Sequence, residues 1–287
     1  MESFTMRKKS YAKLTLSLYA YWDDAVLKFK NIIVPIDLFD VVYLTPQKKM
    51  EMSTNKSYLP NDKRNTVYRV IELMKARYEI KDNFKVHIVK NIPAQSGMGG
   101  GSSNAATVIN MLDEMYALNL SIQEKIDIAK EIDEDAPYCI LSEPALVEGI
   151  GEIITPIELD MPIYYLLIKP KFGVSTKRFL NKYEDTDLKY ENISDAMRVA
   201  CEASDYNSLI DARYNGFEKT VKKHYASLQS VIDKLDSMGL DGVGMTGSGS
   251  CIYGLSQDKE LVMSLFEQVV FDYPFAKYGV INPKKTW

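Results

Sequence analysis

Cysteine and histidine are scarce in this chain. Its three cysteines, Cys139, Cys201 and Cys251, and its two histidines, His87 and His224, lie far apart in sequence. There is no CxxC, so no disulfide framework is expected. A structural zinc site is not expected either, because zinc needs several nitrogen or sulfur ligands close together. A histidine-dependent catalytic triad finds no support either. The thiols read as reduced groups, and the expected location is the cytoplasm.

Long apolar runs are also missing. No segment approaches the ~20 apolar residues that span a bilayer. The first ten residues carry Arg7, Lys8 and Lys9, but the apolar positions that follow alternate with polar ones, unlike a signal peptide. Charge of one sign does not dominate: 35 Lys and Arg face 39 Asp and Glu, for a net charge of −4. The basic residues are spread along the chain. Nucleic acid and membrane are therefore not expected as partners, although a local pocket for one phosphate remains possible. No internal repeat or low-complexity linker stands out.

What remains is an ordinary globular composition, 46% hydrophobic and 26% charged over 287 residues, enough for one large domain or two of usual size. Leu14, Leu16 and Leu18 alternate with Lys13, Thr15 and Ser17, which predicts a half-buried strand with one polar face. Residues 31–36 read as a second strand and 83–90 as a third. Val67, Val70, Ile71, Leu73 and Met74 give helical spacing over 65–78, and Ala105, Val108, Ile109, Leu112 and Met115 give it over 104–118. Ser121 and Glu124 have the spacing of a capping box for a helix to about residue 132. Pro137 must interrupt or begin an element. Gly149-Ile150-Gly151-Glu152 reads as a turn before a short strand at Ile153-Ile154. Further strands are expected at 163–168, 251–255 and 276–281, with helical patterns over 175–238 and 260–270. The mixture in two halves implies an α+β fold, with a boundary at Met161-Pro162 that divides the chain into 1–160 and 161–287.

The most informative stretch is Pro93-Ala94-Gln95-Ser96-Gly97-Met98-Gly99-Gly100-Gly101-Ser102-Ser103, between a predicted strand and a predicted helix. Helix N-termini leave four N–H groups unpaired and carry partial positive charge. Glycines let such a backbone close around an anion. Ser102 and Ser103 add hydroxyls for phosphate oxygens or for Mg²⁺, a cation that prefers oxygen ligands. The loop lacks the Gly-Lys-Ser/Thr of a Walker motif and is not a dinucleotide fingerprint. The competing reading is a glycine-rich turn used for tight packing.

This loop resembles the phosphate loop of the GHMP kinases, Pro-x-x-x-Gly-(Leu/Met)-Gly-Gly-Gly-Ser-Ser. The resemblance continues in order over nearly the whole chain. Ala12-Lys13-Leu14-Thr15-Leu16 is similar to the family's Ala-Lys-Ile-Asn-Leu, and Asp135-Ala136-Pro137-Tyr138 to its Asp-Val-Pro-Phe. The segment from Lys169 through Thr176 and Thr246-Gly247-Ser248-Gly249-Ser250 also match. Pro35-Ile36-Asp37-Leu38-Phe39-Asp40 and the Gly149 turn point to one branch, the diphosphocytidyl-methylerythritol kinases of non-mevalonate isoprenoid synthesis.

The resemblance implies a two-domain GHMP kinase fold. Its N-terminal domain is like the second domain of ribosomal protein S5, and its C-terminal domain is ferredoxin-like. It implies an ATP-dependent kinase that acts with Mg²⁺ on the hydroxyl of a small-molecule alcohol, as a monomer or homodimer. Asp135 would be the catalytic base, with Lys13 beside it. Pro93, Gly97, Gly99, Gly100, Gly101, Ser102 and Ser103 would hold the phosphates, with Ser103 as a Mg²⁺ donor. Asn65 and Lys90 would lie near the adenosine, and Thr15, Leu27, Thr176, Gly247 and Ser248 near the acceptor. Taken alone, Asp135 also reads as a turn or N-cap residue, Lys13 as a strand-surface lysine, Asn65 as an N-cap and Lys90 as an exposed strand end.

The chain departs from the branch at one telling place. Trp22-Asp23-Asp24-Ala25-Val26-Leu27 stands where Arg-Pro-Asp-Gly-Tyr-His is usual, and in the family the Tyr and His hold cytosine. Val26 and Leu27 can neither stack comparably nor hydrogen-bond a base edge. Thr15 replaces an Asn, Asn104 replaces an acidic residue, and Asn215-Gly216-Phe217-Glu218 replaces Asn-Asp-Leu-Glu. Two other readings stay open, a kinase for a non-cytidyl alcohol and a non-catalytic nucleotide-binding homologue. Intact Lys13 and Asp135 oppose the second of these.

Overall fold

The structure is a computed structural model that describes residues 4–174, 183 and 188–283. In chain order the elements are β1 (Met6–Asp23), β2 (Val26–Gln47), β3 (Glu51–Thr54), α1 (Thr66–Tyr78), β4 (Asn83–Val89), α2 (Gly100–Tyr116), α3 (Ile122–Lys130), α4 (Ala136–Leu141), β5 (Ala145–Gly149), β6 (Ile153–Pro156) and β7 (Tyr164–Lys169). After a short 3₁₀ turn at Leu188–Tyr190 come α5 (Ile193–Glu202), α6 (Tyr206–Asp211), β8 (Tyr214–Asn215), α7 (Glu218–His224), α8 (Ser227–Asp236), β9 (Gly242–Met245), β10 (Ile252–Ser256), α9 (Lys259–Val269) and β11 (Phe275–Val280). The mixture of helix and strand is that of an α+β protein. Among the described residues no helix is long and apolar enough to cross a membrane.

The chain forms two compact units. The first comprises Met1–Ala12, Leu38–Ile92 and Gly99–Ser142; the second comprises Lys13–Asp37, Pro93–Met98 and Glu143–Trp287. The units interleave in sequence, and the division falls inside β1, inside β2 and inside the glycine loop.

In the first unit, residues 41–47 of β2 pair antiparallel with β4, and β4 pairs parallel with β3. Helix α1 packs on α2, and α4 packs on both α2 and α3. Of the apolar stripes read from the sequence, Val67, Val70, Ile71 and Met74 on α1 and Ala105, Val108, Ile109 and Leu112 on α2 are buried, while Leu73 and Met115 are half-buried. Asn65 caps α1, its side chain accepting the Val67 N–H at 3.0 Å. Both arms of the Ser121–Glu124 capping box are formed at α3.

In the second unit, residues 29–33 of β2 pair with β5, which turns through Gly149 (φ 71°) into β6. A four-stranded sheet runs β11-β7-β10-β9. Leu166, Ile168, Ile252 and Met245 of that sheet share a core with Leu228, Val231, Ile232 and Leu235 of α8 and with Val262, Leu265 and Val269 of α9. Strand β9 lies within a second glycine-rich stretch, residues 242–250, which taken alone reads as a loop between helix and strand. Its glycines serve packing: a Cβ on Gly244 would come 3.0 Å from the Tyr253 hydroxyl. Of the helical span expected over 175–238, residues 175–182 and 184–187 lie outside the described residues; the described part holds α5 to α8 and is interrupted by β8.

Candidate active site

Helix α2 begins four residues earlier than the periodicity predicts, inside the glycines, with Gly99 as its N-cap at φ 65° and no side chain capping it. Its first N–H groups therefore come from Gly100, Gly101 and Ser102, and the first helical bond is Ser103 N–H to the Gly99 carbonyl at 2.8 Å. An uncapped, glycine-built helix start on a helix of this length is an anion-binding arrangement.

A buried polar network supports this helix start within the first unit. Lys90 donates to the carboxylate of Asp40 and, at 2.9 Å, to Oδ1 of Asn104. Asn104 Nδ2 donates to Asp40 Oδ2 and to Ser10 Oγ, each at 2.9 Å. The hydroxyls of Ser10 and Ser103 are 2.8 Å apart. The other oxygen of Asp40 accepts the N–H groups of Asn91 (2.7 Å) and Ile92 (2.9 Å). Lys90 is thus not an exposed strand end; it is buried, and a Cβ on Gly100 would lie 3.2 Å from its Nζ. Ser103 is buried with its hydroxyl engaged. Asp40 and Ser10 carry no signal of this role in the sequence beyond Asp40's place in the Pro35–Asp40 run.

The Asp135 segment also belongs to the first unit. Asp135 is the N-cap residue of α4 but makes no side-chain cap hydrogen bond, and Pro137 occupies the first turn. Its φ, −89°, and ψ, −18°, are helical, not the extended conformation that side-chain capping uses. Asp133 takes the amides instead, accepting Asp135 N–H at 3.1 Å and Ala136 N–H at 2.9 Å. Burial, and then the neighbouring Asp135 charge, push the Asp133 carboxyl above its usual value, against a hydrogen bond from Ser102 that lowers it. Glu134 is raised by burial first and then by the charges of Asp135 and Asp133.

The second unit holds the other half of the loop. Gly97 has φ 76°, and a Cβ there would overlap the Thr246 carbonyl oxygen. The Met98 carbonyl accepts Lys13 N–H at 3.2 Å, and Cys251 N–H donates to the Ser96 carbonyl at 3.1 Å. Ser96 Oγ donates to the Pro93 carbonyl at 2.7 Å. The second glycine stretch is therefore a packing partner of residues 95–98.

Lys13 is buried, not on a strand surface. Its Nζ donates to Thr15 Oγ1 at 3.1 Å, and a Cβ on Gly247 would lie 3.2 Å from it. Thr15 N–H donates to Thr246 Oγ1 at 3.0 Å. Ser248 is buried within the same turn. Asn215 Nδ2 braces this turn through the carbonyls of Met245 (2.7 Å) and Gly247 (2.9 Å), and Glu218 accepts Met245 N–H at 3.1 Å. Asn215 and Glu218 are the two residues kept in the 215–218 segment, and that retention is the sequence signal for them.

Leu27 is placed differently from the expectation. It packs in the apolar core of the second unit with Leu18, Ala20 and Phe217 and is 9% exposed. Asp24 (φ 45°) and Ala25 (φ 64°) form the turn between β1 and β2, leaving Trp22 and Val26 exposed. Thr176 lies outside the described residues. Burial pushes the Cys201 and Cys251 thiols up to about 12, which makes them poor nucleophiles.

Comparison with known proteins follows the same lines. Residues 65–143 match the family model for the GHMP kinases N terminal domain, and residues 197–273 match that for GHMP kinases C terminal. A 4-diphosphocytidyl-2-C-methyl-D-erythritol kinase of Clostridium kluyveri is 34% identical over 281 residues, 97% of this chain and 99% of that protein. The enzyme of the same name from Ligilactobacillus salivarius is 32% identical over 91% of this chain and 92% of its own length. A crystal structure of 4-(cytidine 5'-diphospho)-2C-methyl-D-erythritol kinase superposes with a TM-score of 0.79 at 22% identity, covering 97% of this chain and 100% of the other.

Proposed function

The chain belongs to the GHMP kinase family, in the branch of the 4-diphosphocytidyl-2-C-methyl-D-erythritol kinases, and from that premise we propose that it moves the γ-phosphoryl group of ATP to a free hydroxyl of 4-diphosphocytidyl-2-C-methyl-D-erythritol. The observation that carries this reading is the helix start at Gly99–Ser102, a phosphate cradle in a chain alignable end to end with enzymes of that name. Family membership makes the protein a phosphotransferase; the identity of the acceptor is the proposed part.

Phosphoryl transfer asks a protein for charge neutralisation, positioning and care of the hydroxyl proton. In this reading the amides of Gly100, Gly101 and Ser102 take the phosphate oxygens. Asp135, whose side chain its own helix does not use as a cap, accepts the acceptor's hydroxyl proton. Lys13 supplies a fixed cation on the second unit, oriented by Thr15. Mg²⁺ would travel with ATP and neutralise charge on its phosphates. The protein's oxygen donors of the right chemistry are the hydroxyls of Ser103 and Ser102, which suit a hard cation that keeps several waters. The adenosine side of the proposal rests on Asn65 alone, since Lys90 is committed to Asp40.

One observation favours a second reading. With Leu27 in the core and Ala25 in a left-handed turn, residues 25–27 offer no hydrogen-bonding side chain at the positions where the branch holds cytosine. A non-cytidyl alcohol is then the alternative acceptor. Purified protein with Mg-ATP should release ADP with the cytidyl substrate and not with a panel of simple sugar alcohols. Turnover of a panel alcohol alone would replace the first reading by the second. Asp135→Asn should cut kcat by about a hundredfold or more, the usual weight of general base catalysis, and leave ATP affinity intact.

A further inference from the structure

The three acids at 133–135 do not act alike. A carboxylate just before a helix is normally drawn into capping, accepting an N–H of the first turn. Here that work falls to Asp133, which holds the N–H groups of Asp135 and Ala136 at 3.1 and 2.9 Å. Asp133 is thus hydrogen-bonded to the backbone that carries Asp135 and opens α4. Helix α4 is fixed to α2 where Asn110 Nδ2 donates to the Ile140 carbonyl at 3.3 Å.

We propose that Asp133 is the positioning residue of this site: it takes the first amides of α4 and so fixes the backbone of Asp135 with the Asp135 carboxylate kept out of helix capping. This rests on the reading of Asp135 as the base. The role belongs to the acceptor oxygens of Asp133, not to its charge. An asparagine keeps one such oxygen, and an alanine keeps none.

The test compares Asp133→Ala, Asp133→Asn and Asp135→Asn under saturating Mg-ATP, with the alcohol that supports ADP release. Asp133→Ala should lower kcat by about tenfold to a hundredfold, as small misplacements of reacting groups do, with KM for ATP changed less than about threefold. Asp133→Asn should restore kcat to within about threefold of the parent, because the amide oxygen can still accept from residues 135 and 136. Hydrogen exchange at the Asp135 and Ala136 amides should follow the same order, fast in the alanine variant and protected in the asparagine variant. Parent-like kcat in Asp133→Ala overturns the inference, as does an asparagine variant as impaired as the alanine one. Full activity in Asp135→Asn overturns the assignment of the base instead, and a lack of turnover with every alcohol overturns both.

Discussion

Lys90 and Asp40 form an ion pair with only 8% and 0% of their side chains exposed, against Gly100 at the start of α2. The pair is not isolated, since Asn104 bonds to both members and two backbone amides complete Asp40. A buried pair of this kind is costly to break from one side, because the remaining charge loses its compensation. Lys90→Met should therefore destabilise the protein by about 3–5 kcal/mol, read as a fall in the denaturation midpoint at unchanged slope. If Lys90 served the adenosine instead, the variant would keep its stability and lose ATP affinity, and that outcome would sink the structural role.

Asn104 gives a second prediction in the same network. Its amide donates to Asp40 and Ser10 while its oxygen accepts from Lys90. An Asn104→Asp variant would lose both donors and set a second carboxylate against Asp40. Like charges at that spacing cannot both ionise cheaply, so a carboxyl would be held above its ordinary pKa. A raised folded-state pKa means that the fold holds more protons than the unfolded chain between the two values. Stability then falls as pH rises through that window. The variant should be less stable than the parent at pH ~8, by roughly 1–3 kcal/mol, with the gap narrowing toward pH ~5. Thermal melts at both pH values decide it; a gap that widens on acidification contradicts the network.

Some of this site is legible in the sequence and some is not, for physical reasons. Local signals hold: the Ser121–Glu124 box, the buried stripes of α1 and α2, and Asn65 as a cap depend on residues a few positions apart. Lys13, Thr15 and Ser17 read as an exposed polar face, because alternation alone implies one. In β1 all nine residues from Ala12 to Ala20 are buried, and these polar side chains find partners far away in sequence, such as Thr246 for the Thr15 amide and Ser194 for Ser17. A strand covered on both faces loses its sequence alternation as evidence of exposure. Strand β9 is hidden by its glycines, which are depleted in strands generally but required where Tyr253 and Arg213 approach. Asp133 escapes sequence reasoning because a carboxylate that caps for its neighbour has no motif of its own.

The glycine loop itself makes a sharp prediction at Gly97. Its φ of 76° already disfavours any side chain, and a Cβ would overlap the Thr246 carbonyl. Gly97→Ala should lose stability by the ~1–2 kcal/mol of left-handed strain. Because backbone must move to relieve the overlap, it should also weaken ATP binding by about tenfold or more. Gly239→Ala is the control. That residue has φ 83° with nothing within 4 Å of a Cβ, so it should show the strain without any change in ATP affinity. Nucleotide titration of both variants separates the two effects, and unchanged ATP affinity in Gly97→Ala would mean that the loop is not the phosphate cradle.

Asp113 sets the expected acid sensitivity of the first unit. Burial alone would raise its carboxyl, but the hydrogen bonds from Lys125 and from Leu120 N–H outweigh it and hold the group below its ordinary value. Lys125 Nζ is 2.6 Å away, and both side chains are largely buried between α2 and α3. A carboxyl whose pKa is depressed in the folded state stabilises the fold above its unfolded pKa, and that contribution is lost as pH falls through the folded value. Asp113→Asn should thus lower stability at pH ~7 by roughly 1–3 kcal/mol, the range for a hydrogen bond to a charged group. As pH falls through the folded value the parent carboxylate becomes protonated as well, so the two proteins should converge. Denaturant midpoints across this range test the sign directly: a deficit that persists undiminished at low pH would show that the asparagine acts through packing and not through the lost charge.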